Sequence, residues 1–242
     1  MKEENQKGWP CLACPARNPA FCTTVLEILS DPPAIGNGVL RQTFHSVGAH
    51  ETICLRNARC EDVYVLCEGW AFTYFQLPDG RQQIVSFLLG GDLFSCNTVF
   101  DETWNLSVRS LTPAVFCRAN RSDVKAKVSS NSKTLDRLAR ICISEVQLKN
   151  EILINLGQRS ADERIAHLLL SLTNRIQQVS VIRDDTYIFP LRQQDIAHAT
   201  GLTSVHVGRT IARFRDAKLI ELSRGQLKIL KRNELERIGR IE

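Results

Sequence analysis

Long apolar runs are absent from this sequence of 242 residues. None of its hydrophobic stretches reaches the roughly 18 residues that a membrane-spanning helix needs, so we expect no membrane partner. The charged opening, Met-Lys-Glu-Glu-Asn-Gln-Lys, is not followed by the apolar core of a secretory signal peptide. We therefore expect a cytoplasmic protein, in a compartment that keeps thiols reduced.

Internal repeats, low-complexity segments and a catalytic pattern are also absent. The five histidines form no sequence pattern with a nucleophile or a carboxylate, and three of them lie on predicted helices. They are His45, His50, His167, His198 and His206. We therefore predict that the protein is not an enzyme.

The remaining composition is ordinary for a globular protein, with 43% hydrophobic and 24% charged residues, 13 Gly and 8 Pro. At this length the chain can form one large domain or two modest ones, each with a real core. The formal net charge of +5 is mild. It permits binding to nucleic acid but does not demonstrate it.

Nine cysteines are present, and three of them crowd the start of the chain as Cys11-Leu-Ala-Cys14 followed by Cys22. In a reducing compartment an odd number of cysteines indicates metal binding or buried thiols rather than a disulfide framework. With a fourth thiolate, the three suit either zinc or an iron–sulfur cluster, and spacing does not decide between them. Unrelated structural thiols are the alternative. The other cysteines each favour the role of a small buried hydrophobe: Cys54, Cys60, Cys67, Cys96, Cys117 and Cys142.

Residues 43–117 carry the signals of short strands. Runs rich in β-formers occupy residues 63–66, 71–75 and 83–89. Turn residues separate these runs at Gly69, Pro78-Asp-Gly80 and Gly90-Gly91-Asp92. Such close spacing of strands and turns predicts an antiparallel barrel or roll.

No Pro or Gly occurs from Ser122 until Gly157, and this span predicts one long helix. Two neighbouring apolar stripes run along it, so the helix needs two partners, such as its own β-domain and another subunit's helix. The predicted dimerisation residues are Leu138, Ile141, Cys142, Leu148, Ile152 and Leu156; the second stripe contains Leu135, Ala139, Cys142, Val146 and Leu153. Glu145 and Lys149 interrupt the stripes and are expected to weaken a homodimer seam. Packing wholly within one subunit is the alternative.

The last part of the chain has the pattern of a winged helix-turn-helix. After an amphipathic helix over residues 161–176, residues 194–199 form a short helix that Gly201 stops. Thr203 caps the next helix, which runs to about Lys218. A hairpin, the usual wing, then follows. It consists of Ile220-Glu-Leu222, the turn Ser223-Arg-Gly225 and Leu227-Lys-Ile-Leu230.

The second helix of such a motif lies across a DNA major groove, with its N-terminal residues at the base edges. Arg209 is the strongest candidate because its guanidinium can donate two hydrogen bonds to guanine O6 and N7. Other basic side chains on this helix and in the wing suit phosphates. The predicted DNA-binding residues are Thr203, Ser204, Val205, His206, Arg209, Arg213 and Arg224. A protein-contacting wing and a merely solvated basic face are the alternatives.

From about Cys11 to Leu230 the chain resembles the bacterial CRP/FNR regulators, and most of all their oxygen-sensing FNR branch. The resemblance is carried by Gly91-Asp92-Leu93, by Ser160-Ala-Asp-Glu-Arg-Ile-Ala166, and by Asp195-Ile196 through Arg209. It implies an α+β fold with an N-terminal antiparallel β-roll of the cyclic-nucleotide-binding type, a long dimerisation helix and a C-terminal winged helix-turn-helix. The implied divisions are residues 1–30 for cluster binding, 31–120 for the β-roll, 121–157 for the dimerisation helix and 158–242 for DNA binding.

FNR-type proteins hold a four-iron, four-sulfur (4Fe-4S) cluster on three N-terminal cysteines and one cysteine of the β-roll. The segment Val115-Phe-Cys117-Arg matches that last position, so the resemblance selects Cys117 over Cys96. It thus implies Cys11, Cys14, Cys22 and Cys117 as metal ligands. The seven residues between Cys14 and Cys22 match a variant spacing among FNR-like proteins.

Two departures from the better-known branches matter. Residues 100–107 contain no arginine to hold a cyclic phosphate, and Cys96 stands where the cyclic-nucleotide branch has a glutamate. The sequence therefore argues against a cyclic nucleotide. Both well-known branches carry Glu four residues before the recognition-helix arginine, whereas this chain has Val205 there. Valine can press only on an apolar group such as a thymine methyl, so we expect an altered half-site.

The resemblance implies a transcription activator that binds palindromic double-stranded promoter DNA and RNA polymerase as a homodimer. An oxygen- or redox-labile iron–sulfur cluster would control its dimerisation and DNA binding. One alternative is the same fold sensing nitric oxide or thiol redox state without a cluster. Another is a zinc-stabilised DNA-binding protein.

Overall fold

The structure, a computed structural model, describes residues 43–179 and 182–240. The predicted ligands Cys11, Cys14 and Cys22 lie outside these residues, as does the predicted cluster-binding segment 1–30. Across the two described ranges, no helix combines the length and the apolar character needed to cross a lipid bilayer.

Seven short strands form two sheets in the N-terminal part of the described chain. The strands are β1 Thr43–Val47, β2 Thr52–Cys54, β3 Asp62–Glu68, β4 Ala71–Gln76, β5 Gln82–Leu88, β6 Ser107–Ser110 and β7 Ala114–Asn120. One sheet has the order β1-β7-β3 and the other the order β2-β6-β4-β5. The predicted antiparallel roll is confirmed, and the three β-rich runs correspond to β3, β4 and β5.

Side-chain alternation along β7 places residues on both faces of the three-stranded sheet. Phe116 joins an apolar cluster between the two sheets, together with Leu66 of β3 and Val108 of β6. Ala119 points to the opposite face, where a second cluster forms against helices. That second cluster contains Val63, Val65, Leu93, Cys96, Val99, Ala119, Val124, Val128 and Leu138.

Two helices follow β7 where the sequence predicts one. Helix α1 spans Arg121–Ser130 and α2 spans Ser132–Gln158, with Asn131 between them in an extended conformation (φ −131°, ψ 109°). The Asn131 side chain accepts hydrogen bonds from the backbone N–H groups of Lys133 and Thr134, and so caps α2. Because asparagine competes for backbone donors in this way, the break needs neither Pro nor Gly. The prediction of a single helix is therefore wrong.

The rest of the described chain forms a winged helix-turn-helix. Its helices are α3 Ala161–Val179, α4 Gln193–Thr200, α5 Ser204–Asp216 and α6 Arg232–Gly239. Its strands are β8 Thr186–Ile188, β9 Ile220–Ser223 and β10 Gln226–Ile229, in the sheet order β8-β10-β9. The β9–β10 wing is predicted from the sequence, whereas β8 and α6 are not.

The chain forms two compact units. Among the described residues, the first unit contains those up to Phe75 together with Ser86–Gln147. The second contains Gln76–Val85 together with the residues from Leu148 onward. The limit between the units falls inside α2, whereas the sequence places divisions at residues 120 and 157; those divisions stay predictions.

Candidate nucleic-acid interface

The turn between α4 and α5 is built by local capping. Gly201 ends α4 in the left-handed conformation (φ 66°), which glycine adopts without a steric penalty. A Cβ atom at this position would lie 3.2 Å from Leu156 Cδ2. The Thr203 hydroxyl then accepts a hydrogen bond from the His206 backbone N–H at 3.2 Å, as the sequence predicts for a cap. These two residues set the start and the direction of α5.

The buried face of α5 leaves its N-terminal residues exposed. Val207, Ile211 and Phe214 are buried on one side of the helix. Five predicted DNA-binding residues are exposed at its start: Thr203, Ser204, Val205, His206 and Arg209. Val205 is 65% exposed and lies one turn before Arg209, so the two share a face. An exposed valine can contact a thymine methyl, and a neighbouring arginine can donate two hydrogen bonds to a guanine. This face of α5 is therefore suited to contact the edges of DNA bases.

Arg213, also predicted to contact DNA, has a partner within the protein. Its guanidinium donates hydrogen bonds to the Asp162 carboxylate at the start of α3 and to the Thr210 hydroxyl. The Thr210 hydroxyl in turn donates to Asp162 at 2.9 Å. This network joins α5 to α3, so Arg213 has a packing role whether or not it also reaches a phosphate.

The wing presents Arg224 at its tip. Arg224 (φ 50°) and Gly225 (φ 73°) both have left-handed backbones, which is the geometry of a two-residue hairpin turn whose twist matches its strands. Arg224 is exposed, as a phosphate contact requires.

Arg192 is a candidate for a DNA contact that was not predicted from the sequence. It is exposed and immediately precedes α4, where its backbone N–H donates to the Asp195 carboxylate at 2.7 Å. The sequence feature that could have identified it is a basic residue at a cap position that Ser, Thr, Asp or Asn usually occupies.

The net positive charge of the chain lies in the part that carries the helix-turn-helix. Residues 148–242 contain 16 Lys and Arg against 11 Asp and Glu, whereas residues 1–147 contain 15 of each. The whole formal net charge of +5 therefore belongs to the part that carries the helix-turn-helix. A net positive charge in this part of the chain favours association with the phosphate backbone of DNA.

The two apolar stripes of α2 have different surroundings. Leu138 is only 5% exposed and belongs to the cluster under the three-stranded sheet, where Ile141 and Cys142 also pack. The prediction of Leu138 as a dimerisation residue is therefore corrected, because its own subunit already covers it. Leu148, Ile152 and Leu156 are half-buried. The exposed apolar residues of α2 lie mostly along the second stripe: Leu135, Ile143, Val146, Leu153 and Ile154.

Glu145 does not interrupt the exposed stripe. Its carboxylate accepts a hydrogen bond from the backbone N–H of Cys96 at 2.9 Å, on the side of α2 that faces the β-roll. The expectation that Glu145 weakens a subunit seam is thus corrected. Cys96, at the position where the cyclic-nucleotide branch has a glutamate, is packed in the same apolar cluster.

Cys117 is buried in the middle strand of the three-stranded sheet, at 6% exposure. Its register partners are Phe44 of β1 and Val65 of β3. Strand β1 begins at Thr43, the first described residue. Within residues 43–179 and 182–240, no three His, Cys, Asp or Glu side chains are arranged to hold a metal.

Two family models match the chain. Residues 44–131 match the cyclic nucleotide-binding domain, and residues 163–238 match the Crp-like helix-turn-helix domain. The first covers the β-roll and α1, and the second covers most of the winged helix-turn-helix.

Known relatives span most of the chain. The nitrogen fixation regulation protein FixK of Bradyrhizobium diazoefficiens is 28% identical over 224 residues, covering 92% of this chain and 91% of that protein. The protein of the same name from Azorhizobium caulinodans is 30% identical over 179 residues, covering 74% and 71%. The solved structure of FixK2 from Bradyrhizobium japonicum superposes with a TM-score of 0.76 at 23% identity, covering 82% of this chain and 98% of that one. This last likeness confirms the fold.

Proposed function

This chain belongs to the CRP/FNR family of DNA-binding transcription regulators, and we propose that it binds palindromic promoter DNA as a homodimer under the control of an iron–sulfur cluster. The proposed ligands are Cys11, Cys14, Cys22 and Cys117. An activating role and a contact with RNA polymerase are further parts of the proposal and are supported by the resemblance to the FNR branch.

The exposed start of α5 carries the DNA-binding part of the proposal. Thr203 caps the helix, and Val205 and Arg209 share its exposed face. Arg209 can donate two hydrogen bonds to one guanine, while Val205 can contact a thymine methyl but cannot accept from cytosine N4. We therefore expect a half-site that keeps one guanine and differs at the position that a glutamate would read.

The exposed stripe of α2 supports the dimer. Leu135, Ile143, Val146 and Leu153 are each 47–68% exposed on a helix whose opposite face is already packed. A second copy of α2 would cover them around a two-fold axis, and the two recognition helices would then meet half-sites one helical turn apart.

The position of Cys117 supports the cluster. Its thiol is buried in β7 beside β1, the strand that begins at Thr43. Cys96, the other β-roll cysteine considered, packs against α2 instead, where its backbone N–H donates to Glu145. Four cysteine thiolates suit an iron–sulfur cluster, which when bound would supply a redox-active centre. Residues 100–107 offer no arginine for a cyclic phosphate, so we propose no cyclic nucleotide ligand.

Anaerobic purification of the full chain tests the proposal. We expect iron and acid-labile sulfide in equal amounts, visible absorption that air bleaches, and tight binding to a palindromic site only before exposure to air. Zinc without colour would instead support the zinc-stabilised alternative, and a haem spectrum would support the nitric oxide sensor. Equal affinity for palindromic and scrambled DNA would refute sequence-specific reading.

A further inference from the structure

Two cysteines pack against the same apolar cluster where the β-roll meets α2. Cys96 lies in the 3-10 helix Cys96–Val99 that follows β5, and Cys142 lies on α2. Cys96 is buried and Cys142 is half-buried against the same apolar cluster. The two residues are 46 positions apart in the chain, so the fold alone creates this pair.

Glu145 holds the pair in place. It lies one turn after Cys142 on α2, on the same side of the helix. Its carboxylate accepts a hydrogen bond from the Cys96 backbone N–H at 2.9 Å. The 3-10 helix is thus anchored to α2 one turn from Cys142, which brings the two cysteines to the same part of the cluster.

The two cysteines offer two sulfur ligands, which are too few for a metal site. Among the described residues, Cys96, Cys142 and Glu145 are not placed as three ligands around one ion. Neighbouring cysteines have one other common chemistry, which is reversible disulfide formation.

We propose that Cys96 and Cys142 form an intrachain disulfide when hydrogen peroxide oxidises the protein. The Cys142 sulfur first attacks the peroxide O–O bond, giving Cys142 sulfenic acid and water. The Cys96 sulfur then displaces the hydroxyl group from the Cys142 sulfur. The Cys96 proton passes by way of Glu145 to the departing hydroxide, and the products are one S–S bond and a second water. The pair loses two electrons, and one peroxide is reduced.

The order of these steps follows from the environment of each thiol. Burial, together with contact with Cys142 and Glu145, raises the pKa of Cys96 well above its usual range. Since the thiolate is the nucleophile, Cys96 is a poor first target for a peroxide. Cys142 is the more exposed of the two, so it meets the oxidant first and Cys96 resolves the sulfenic acid.

The disulfide would join the β-roll covalently to α2 and leave the exposed stripe of that helix unchanged. It uses neither Cys117 nor the N-terminal cysteines, so it is independent of the proposed cluster. In a reducing compartment it would be transient, and a dithiol reductant would reverse it.

Peptide mapping tests the proposal directly, because trypsin separates the two thiols. Cleavage after Arg81 and Arg109 releases residues 82–109, whose one cysteine is Cys96. Cleavage after Arg140 and Lys149 releases residues 141–149, whose one cysteine is Cys142. After the full-length chain is treated with hydrogen peroxide and its remaining thiols are alkylated, we expect these two peptides linked to each other. Dithiothreitol should restore both as free thiols.

Variants give the matched controls. Cys96→Ala should leave Cys142 as a sulfenic acid that dimedone traps, whereas Cys54→Ala, at another buried cysteine, should keep the linked peptide. Glu145→Gln should slow the linkage several-fold and raise the dimedone-trapped fraction. Two results would overturn the proposal in the wild-type chain: peptide 82–109 recovered fully alkylated after peroxide, or peptide 141–149 linked to a second copy of itself.

Discussion

The two units of this regulator differ in the chemistry of their side chains. All nine cysteines precede Leu148, in a part of the chain where Lys and Arg equal Asp and Glu in number. From Leu148 onward there is no cysteine, and the whole net charge of +5 is found there. Thiol chemistry can therefore change the first unit without altering a residue that reads DNA.

Helix α2 contributes both to the surroundings of a β-roll cysteine and to the proposed dimer. Its first half packs against the β-roll through Leu138 and accepts a hydrogen bond from the Cys96 backbone through Glu145. The same helix carries the exposed stripe proposed for the second subunit. Because a dimer presents two recognition helices to a palindrome, any change in dimerisation changes DNA affinity by linkage.

The largest effect is expected from Cys117→Ser, which removes a proposed ligand. A serine hydroxyl is a much weaker ligand for iron than a thiolate, so anaerobic protein should lose its iron-dependent absorption. Cys67→Ser, in the neighbouring strand β3, is the matched control and should keep it. Absorption spectra with iron and sulfide analysis provide the measurement. A full cluster in Cys117→Ser together with its loss in Cys96→Ser would show that the wrong β-roll cysteine was chosen.

The next effect concerns the dimer. Val146→Glu places like charges near each other across the proposed two-fold axis, which costs several kcal/mol. We expect the dimer dissociation constant to rise at least about 100-fold, since each 1.4 kcal/mol is a factor of ten. Gln147→Glu adds the same charge at the next, exposed position outside the stripe, and should have little effect. Sedimentation at several concentrations measures both. Unchanged association of Val146→Glu would place the seam elsewhere.

Within the second unit, Arg209→Ala should weaken binding to the palindrome by roughly 1–3 kcal/mol and relax one guanine position. Arg224→Ala should instead weaken all sequences alike and lower the salt dependence by about one unit, because it removes one phosphate contact. Titrations with specific and scrambled duplexes at several salt concentrations separate these outcomes. A uniform loss from Arg209→Ala would mean that this arginine contacts the backbone rather than a base.

The smallest effect is on stability. Gly201→Ala forces a side chain into a left-handed backbone and places its methyl group 3.2 Å from Leu156 Cδ2. The free energy of unfolding should fall by about 1–2 kcal/mol. Gly157→Ala, in helix α2 with nothing within 4 Å of the new Cβ, should raise it by about 0.5–1 kcal/mol. Chemical denaturation provides both values, and a change of the same sign in both would contradict the strain argument.

Local patterns were enough to predict several parts of the molecule. Turn residues such as Pro78-Asp-Gly80 and runs rich in β-formers predicted the β-roll, and Gly201 with Thr203 predicted the helix-turn-helix. Each of these signals acts within a few residues, because a cap or a tight turn depends on the backbone of its immediate neighbours. The start of α5 could therefore be placed correctly without tertiary information.

Contacts between distant residues could not be predicted in this way. Both stripes of α2 are apolar, so the sequence does not say that Leu138 packs inside its own subunit while Val146 and Leu153 stay exposed. It does not show that Asp162 holds Arg213, or that Glu145 reaches Cys96. These outcomes depend on which face of a helix meets a sheet, and burial of that face is decided by packing over the whole unit rather than by spacing along the chain.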